Sequence, residues 1–437
     1  MYHPNSKNIS ARRLELNTDP AIVPSISSKQ LKDLNIFWIG FIIYSLGSAL
    51  VATDRLDVKI CQGIEIIGLI LFFVKLIALV QFKFDNSYLA VMYVIYCAWL
   101  LGVIFRKPHD LANYSYLKSF LFNPYEGMLY FTPLILLFPR NLVFYKKLFD
   151  TAITMGILYL LYDLIFIKDL LNSDHSNALS QGLVETFSDL SFSSGFIVLT
   201  YAYHTKKKQL IALAVTVAAL LLAVIRARRG LLLMYSEILL VSYLLFIFHS
   251  KLKFLVIYLT IFAAIMGALY LSGVYRPANN KFFGFLVNRG SEDTRATVEL
   301  YFHDDMKPKD WLIGRGANGQ YFCPDVEENQ LTNYRHTIET GFEQTILKGG
   351  IISLGLFLLI AVPAIFLGIF YSKNILSKVA GIWILMSLIN SYPGTINAFT
   401  LQYLLVWVSI GICYSKEIRR MPQNEIKNIF LDLQNVR

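Results

Sequence analysis

The chain has 437 residues, of which 55% are hydrophobic and 16% charged. Soluble domains carry about 25% charged residues, and here the apolar residues gather into long blocks without an amphipathic rhythm, which argues against a soluble globular fold. The formal net charge of +10 does not make the chain a nucleic-acid binder, because cytoplasmic loops of membrane proteins collect Lys and Arg and no basic module with a nucleic-acid-binding pattern is visible.

Residues 1–33 are polar, contain Pro20 and Pro24, and lack an early apolar run. This predicts a cytoplasmic tail without a cleavable signal peptide, followed by a first span that acts as an uncleaved anchor. Apolar blocks then occupy 34–52, 58–81, 88–105, 123–138, 148–167, 183–203, 208–225, 230–248, 253–273, 349–371, 376–390 and 396–414. Blocks of about 20 residues cross a ~30 Å hydrocarbon core as helices. Without water at that depth, backbone groups must bond within the segment, so helix is the expected solution. The ~10-residue alternating segments of a β-barrel are not seen.

The expected fold is therefore an all-α polytopic integral membrane protein of about twelve transmembrane helices. Spans one to nine lie within 34–273 and spans ten to twelve within 349–414. A large loop at 274–348 separates them, and 415–437 forms a cytoplasmic C-terminal tail. Segments on the N-terminal side of the membrane hold 21 Lys and Arg, whereas the short segments opposite hold 9. The bias places both termini inside and the 274–348 loop outside. That loop carries Tyr301, Phe302, Trp311, Tyr321, Phe322 and Tyr334, more aromatic residues than a disordered segment holds. It is expected to fold as short helices and turns over the outer mouth.

Four segments carry candidate chemistry. Arg226-Ala227-Arg228-Arg229-Gly230 is a tight outer turn whose three arginines run against the positive-inside bias. Arg suits bidentate capture of phosphate; the alternatives are snorkelling to lipid headgroups and a topology one span out that makes the cluster cytoplasmic. Around Arg289 and Arg295, Ser291 or Thr294 can cap a short helix with Arg295 near its N-terminus, an end suited to an anion. A local pair of Arg295 with Glu292 or Glu299 is the alternative. Next, Gly314, Gly316 and Gly319 flank Arg315 and permit backbone turns closed to other residues, without the spacing of a dinucleotide fingerprint. Finally, His336, Glu339 and Glu343 share one face if helical, and a His with carboxylates can do general acid–base work. A second His–Glu pair that would suggest a metal is absent.

Together these segments resemble the O-antigen polymerase and O-antigen ligase superfamily of lipid-linked glycan transferases. Arg228-Arg229-Gly230 opening a span looks like that family's Ser-Arg-Gly segment. Arg295 followed by Leu312-Ile313-Gly314-Arg315-Gly316 looks like its Arg…GxG stretch. The run from His336 into Gly350-Ile351-Ile352 looks like its entry into the next span. The family spacing counted back from Gly350 falls on Glu339, with His336 one turn earlier, so either residue can hold the base position.

The resemblance implies a metal-independent, inverting glycosyltransferase of the bacterial inner (plasma) membrane that needs no cofactor. It would polymerise O-antigen, capsule or exopolysaccharide repeat units. The donor would be an oligosaccharide on undecaprenyl diphosphate and the acceptor a second glycan. Membrane lipid surrounds the protein, and a chain-length regulator is a candidate partner. Arg229 and Arg295 would be catalytic with His336 or Glu339, and Arg226, Arg228, Arg289 and Arg315 would bind the diphosphate. The alternatives are an O-antigen ligase-type transferase and a lipid-linked glycan flippase or transporter.

Overall fold

A computed structural model of the protein describes residues 28–106, 114–171, 178–249, 253–274, 294–324, 333–395 and 397–435. Over these residues it is almost wholly helical. The first helices are α1 (Ser28–Val51), α2 (Val58–Leu79), α3 (Ser87–Phe105) and the short α4 (Tyr114–Phe122). After a 3₁₀ segment, Gly127–Leu137, come α5 (Leu142–Ile165), α6 (Ile167–Leu170), α7 (Ala178–Ser191) and α8 (Ser194–Leu199). Then follow α9 (Lys206–Ile225), α10 (Arg229–His249) and α11 (Lys253–Val274). Two short helices, α12 (Thr294–Asp305) and α13 (Pro308–Ile313), and the strands β1 (Tyr321–Phe322) and β2 (Tyr334–Arg335) lead to α14 (Gly341–Phe370). The chain closes with α15 (Ile375–Asn390), α16 (Leu401–Tyr414), α17 (Lys416–Arg420) and α18 (Gln423–Asn435).

Among the described residues, seven helices are long and apolar enough to cross a membrane: α1, α2, α3, α5, α9, α10 and α14. Less than half of the apolar window in most of them is buried within the protein, and large side chains such as Ile77, Leu164, Leu210 and Phe248 face outward. Such an exterior is stable in lipid and unstable in water. The protein is a multi-pass membrane protein.

Two expected spans take other forms. The block at 123–138 is a 3₁₀ helix around Pro133, which removes one backbone donor from the ladder. The block at 183–203 is divided into α7, α8 and a 3₁₀ turn, Tyr201–Tyr203. The divisions coincide with Ser191, Ser193, Ser194 and Thr200, all buried. Ser191 Oγ bonds the Ser188 carbonyl and Tyr235 Oη, and Thr200 Oγ1 bonds the Phe196 carbonyl. Hydroxyls that compete for helix carbonyls weaken a regular ladder. Small residues govern close packing elsewhere: a Cβ on Gly40 of α1 would lie 2.8 Å from the Gly68 carbonyl of α2, so those two backbones touch.

The connections gather at two ends. At one, Gln81 N–H donates to the Leu137 carbonyl (2.8 Å), Tyr203 Oη to Gln423 Oε1 (2.7 Å), and Asn374 Nδ2 to the carbonyls of Ile418 and Met421. At the other, Arg55 of the α1–α2 turn meets Asp169 of α6 at 2.6 Å. Phe399 N–H there donates to the Pro124 carbonyl (2.7 Å), and Gly341 N–H to the Ser391 carbonyl (2.8 Å). Residues of α12, α13, β1 and the start of α14 build a small separate core at this second end. Val298, Phe302, Met306, Tyr321, Cys323, Ile338 and Leu347 pack there with Trp311.

Candidate functional site

The glycine-rich segment is a seam between backbones. Gly314 sits at φ +71° and a Cβ there would lie 2.5 Å from the Lys348 carbonyl oxygen; Gly350 sits at φ +72° and its Cβ would lie 2.2 Å from the Leu312 carbonyl oxygen. Only glycine fits both the dihedral and the space. The approach lets Arg315 N–H donate to Leu347 O (2.8 Å) and Gly316 N–H to Lys348 O (2.9 Å). Lys348 Nζ donates to the Gly319 carbonyl at 2.9 Å. The seam also ties to α3: Ala317 N–H donates to Val103 O, Trp99 Nε1 to Gly349 O, and Arg106 Nη1 to Gly314 O. The break at Gly350 divides α14 into a short leading helix from Gly341 and a long apolar one.

On this platform α12 presents one face with three polar residues at helical spacing. Arg295 Nε donates to Glu339 Oε2 (2.9 Å), Thr340 Oγ1 to Glu299 Oε1 (2.9 Å), and His303 Nε2 meets Glu343 Oε1 at 3.0 Å. Positions 295, 299 and 303 recur every four residues and so form a row, while Val298 and Phe302 turn into the small core. This row was not singled out in the sequence, although its Arg-x-x-x-Glu-x-x-x-His spacing carried the signal. The local Arg295–Glu299 pair is replaced by the longer-range contact with Glu339.

His336, Glu339 and Glu343 do not lie on one helix. Tyr334 and Arg335 are in β2, paired with β1, and α14 begins only at Gly341. Glu343 alone is helical, so the three share no helix face. His336 instead meets Gln320 Nε2. Beside it, Arg335 is a residue the sequence reading missed: its Nε and Nη1 are buried and have no hydrogen-bond partner among the described residues.

The arginine turn divides its tasks. Arg226 is 1% exposed, and its guanidinium donates to the carbonyls of Leu170 and Asp169. These bonds hold α9 against α6 and make Arg226 a structural cross-link. Arg228 Nη1 pairs with Glu185 at 3.0 Å. Arg229 opens α10 and is exposed. Arg315 is held by the loop around it. It binds Asp305, Asp310 (2.9 Å to Oδ2) and the carbonyls of Asp305 and Gln320. Burial works against its charge, but the bonds and charges of the two aspartates outweigh this and raise its pKa. With its donors turned onto the protein, Arg315 clasps the loop. Arg289 lies outside the described residues.

One turn joins the remaining groups. A Cβ on Gly230 would stand 3.7 Å from the Pro393 carbonyl, and Gly341 N–H bonds Ser391 O. Thr395 Oγ1 donates to the carbonyls of Ile338 (3.0 Å) and Glu339 (3.1 Å). The start of α10, with Arg229, and the Arg295–Glu339 pair therefore flank the same Ser391–Thr395 turn at one end of the bundle. The pair is 38% and 45% exposed, and such pairs contribute only about 0–1 kcal/mol to stability, so opening it costs little. No family model, no curated protein and no solved structure matches the chain.

Proposed function

We propose that the protein is a polysaccharide repeat-unit polymerase of a bacterial plasma membrane. In this reading the chain crosses the membrane twelve times with both termini cytoplasmic, and the segment 274–348 stands outside. Charge bias along the sequence supports that orientation. The acceptor hydroxyl attacks the anomeric carbon of the donor glycan. The bond from that carbon to the diphosphate oxygen breaks, undecaprenyl diphosphate leaves with the electron pair, and the anomeric centre inverts. Glu339 or His336 takes the hydroxyl proton. Arg229 and Arg295 stabilise charge developing on the diphosphate, a role in which one donor contributes about 10²–10³ in rate.

The observation that carries this reading is that the start of α10, which carries Arg229, and Glu339, paired with Arg295, both approach the Ser391–Thr395 turn. Cations from distant parts of the chain, next to an exposed carboxylate and above an apolar bundle, suit a substrate with a lipid tail, an anionic linker and a hydroxylated head. Arg229→Ala and Arg295→Ala, checked for normal protein level in the membrane, should abolish long-chain glycan while single repeat units accumulate on the carrier. Wild-type chain-length patterns in both variants would overturn the proposal.

A further inference from the structure

Beside the arginine turn lies a cleft of about 630 Å³ that the sequence did not reveal. Its wall comes from the end of α1 (Ser48), the start of α2 (Gln62, Glu65), the segment Lys118–Tyr125, and α7 (Glu185, Asp189). The volume is that of a small-molecule site. Its charge opposes that of the neighbouring turn: Glu65, Glu185 and Asp189 face it against one cation, Lys118.

Glu65 is the unusual member. It is 1% exposed, and neither carboxylate oxygen has a hydrogen-bond partner among the described residues. Leaving such a group unsatisfied costs several kcal/mol, a cost a ligand donating hydrogen bonds removes. Gln62, Asn123 and Ser119 add amide and hydroxyl groups, and Phe122 and Tyr125 add aromatic surface. Carboxylates that accept paired hydroxyls, amides that donate and accept, and rings that cover C–H faces form the donor–acceptor set a polyhydroxylated ligand requires.

We propose that this cleft is a sugar-binding subsite, holding uncharged or amine-bearing residues of the glycan whose diphosphate lies at the arginine turn. The ligand's identity rests on the transferase reading. Two contacts connect cleft and turn. Arg228 reaches Glu185 on the cleft wall at 3.0 Å. The Pro124 carbonyl, also on the wall, accepts from Phe399, four residues beyond Thr395. A chain running from diphosphate to sugar thus passes from a guanidinium-rich to a carboxylate-rich surface.

The test uses full-length protein in lipid nanodiscs with Ser119→Cys as reporter, read against the parent chain, whose four cysteines are free thiols. Modification by a maleimide is timed with glucose, galactose, glucosamine or N-acetylglucosamine at tens of millimolar, and with inorganic pyrophosphate or spermidine. At least one sugar should slow the reaction. Glu65→Gln and, independently, Asp189→Asn should each weaken that protection about tenfold, the size of one lost charge-assisted hydrogen bond. Protection by no probe, by pyrophosphate or spermidine alone, or by a sugar but unchanged in both variants, overturns the assignment. Arg229→Ala should keep sugar protection while losing polymer. If Arg229→Ala and Arg295→Ala each keep both, the polymerase reading fails and the sugar subsite stands.

Discussion

Replacing Gly350 by Ala tests whether the seam holds the candidate site in place. The new Cβ would lie 2.2 Å from Leu312 O, 2.4 Å from Leu312 C and 2.5 Å from Ile313 N. These are backbone atoms and cannot swing aside as a side-chain end would. A left-handed φ costs a non-glycine residue about 1–2 kcal/mol. Separating the chains loses the bonds from Arg315 N–H to Leu347 O and from Gly316 N–H to Lys348 O, at about 1 kcal/mol each. The sum is roughly 3–4 kcal/mol, concentrated where α13 meets α14. Gly355 is the control, five residues further along the same helix with nothing within 4 Å of its would-be Cβ. There Ala should be neutral or stabilise by about 0.5–1 kcal/mol. Limited proteolysis in nanodiscs should cut Gly350→Ala rapidly between α12 and α14 and leave Gly355→Ala like the parent. A parent-like cleavage pattern and unchanged glycan polymer for Gly350→Ala would refute the role given to the seam.

Arg315→Ala should destabilise the 294–348 segment by roughly 2–3 kcal/mol, somewhat below a fully buried pair because Asp305 stays 30% exposed. Faster proteolysis of that segment would show it, and a stable segment with weakened donor binding would return Arg315 to the diphosphate. Glu339→Ala and His336→Ala, measured separately by glycan chain length, should identify the proton acceptor. Full activity in both removes the base assignment. Asn318→Cys should react with a membrane-impermeant maleimide from outside the cell; labelling only after the membrane is opened would reverse the proposed orientation.

Much of the architecture was legible because lipid imposes a simple rule: long apolar blocks must satisfy their own backbone as helices. The helices α1, α2, α3, α5, α9, α10 and α14 were visible for that reason. Pro133 marked the block that became a 3₁₀ helix, whereas the division at Ser191 to Thr200 was hidden, since each hydroxyl's effect depends on the carbonyl it finds. The site was legible only as separate pieces. Arg295 was placed near a helix start, and α12 begins at Thr294. His336, Glu339 and Glu343 share a face only on a helix, but β2 takes Tyr334 and Arg335 and α14 starts at Gly341, so only Glu343 is helical.

Composition and block length alone determined that this is a helical protein of the membrane, because the transfer of apolar surface is summed residue by residue along the chain. Which arginine faces a substrate could not be found that way. Arg226, Arg228, Arg229 and Arg315 are the same side chain. What separates them is whether carbonyls and carboxylates from distant segments, such as Leu170, Glu185 and Asp305, already occupy their donors. That depends on the packing of α6, α7 and α12, so it was decided only in three dimensions.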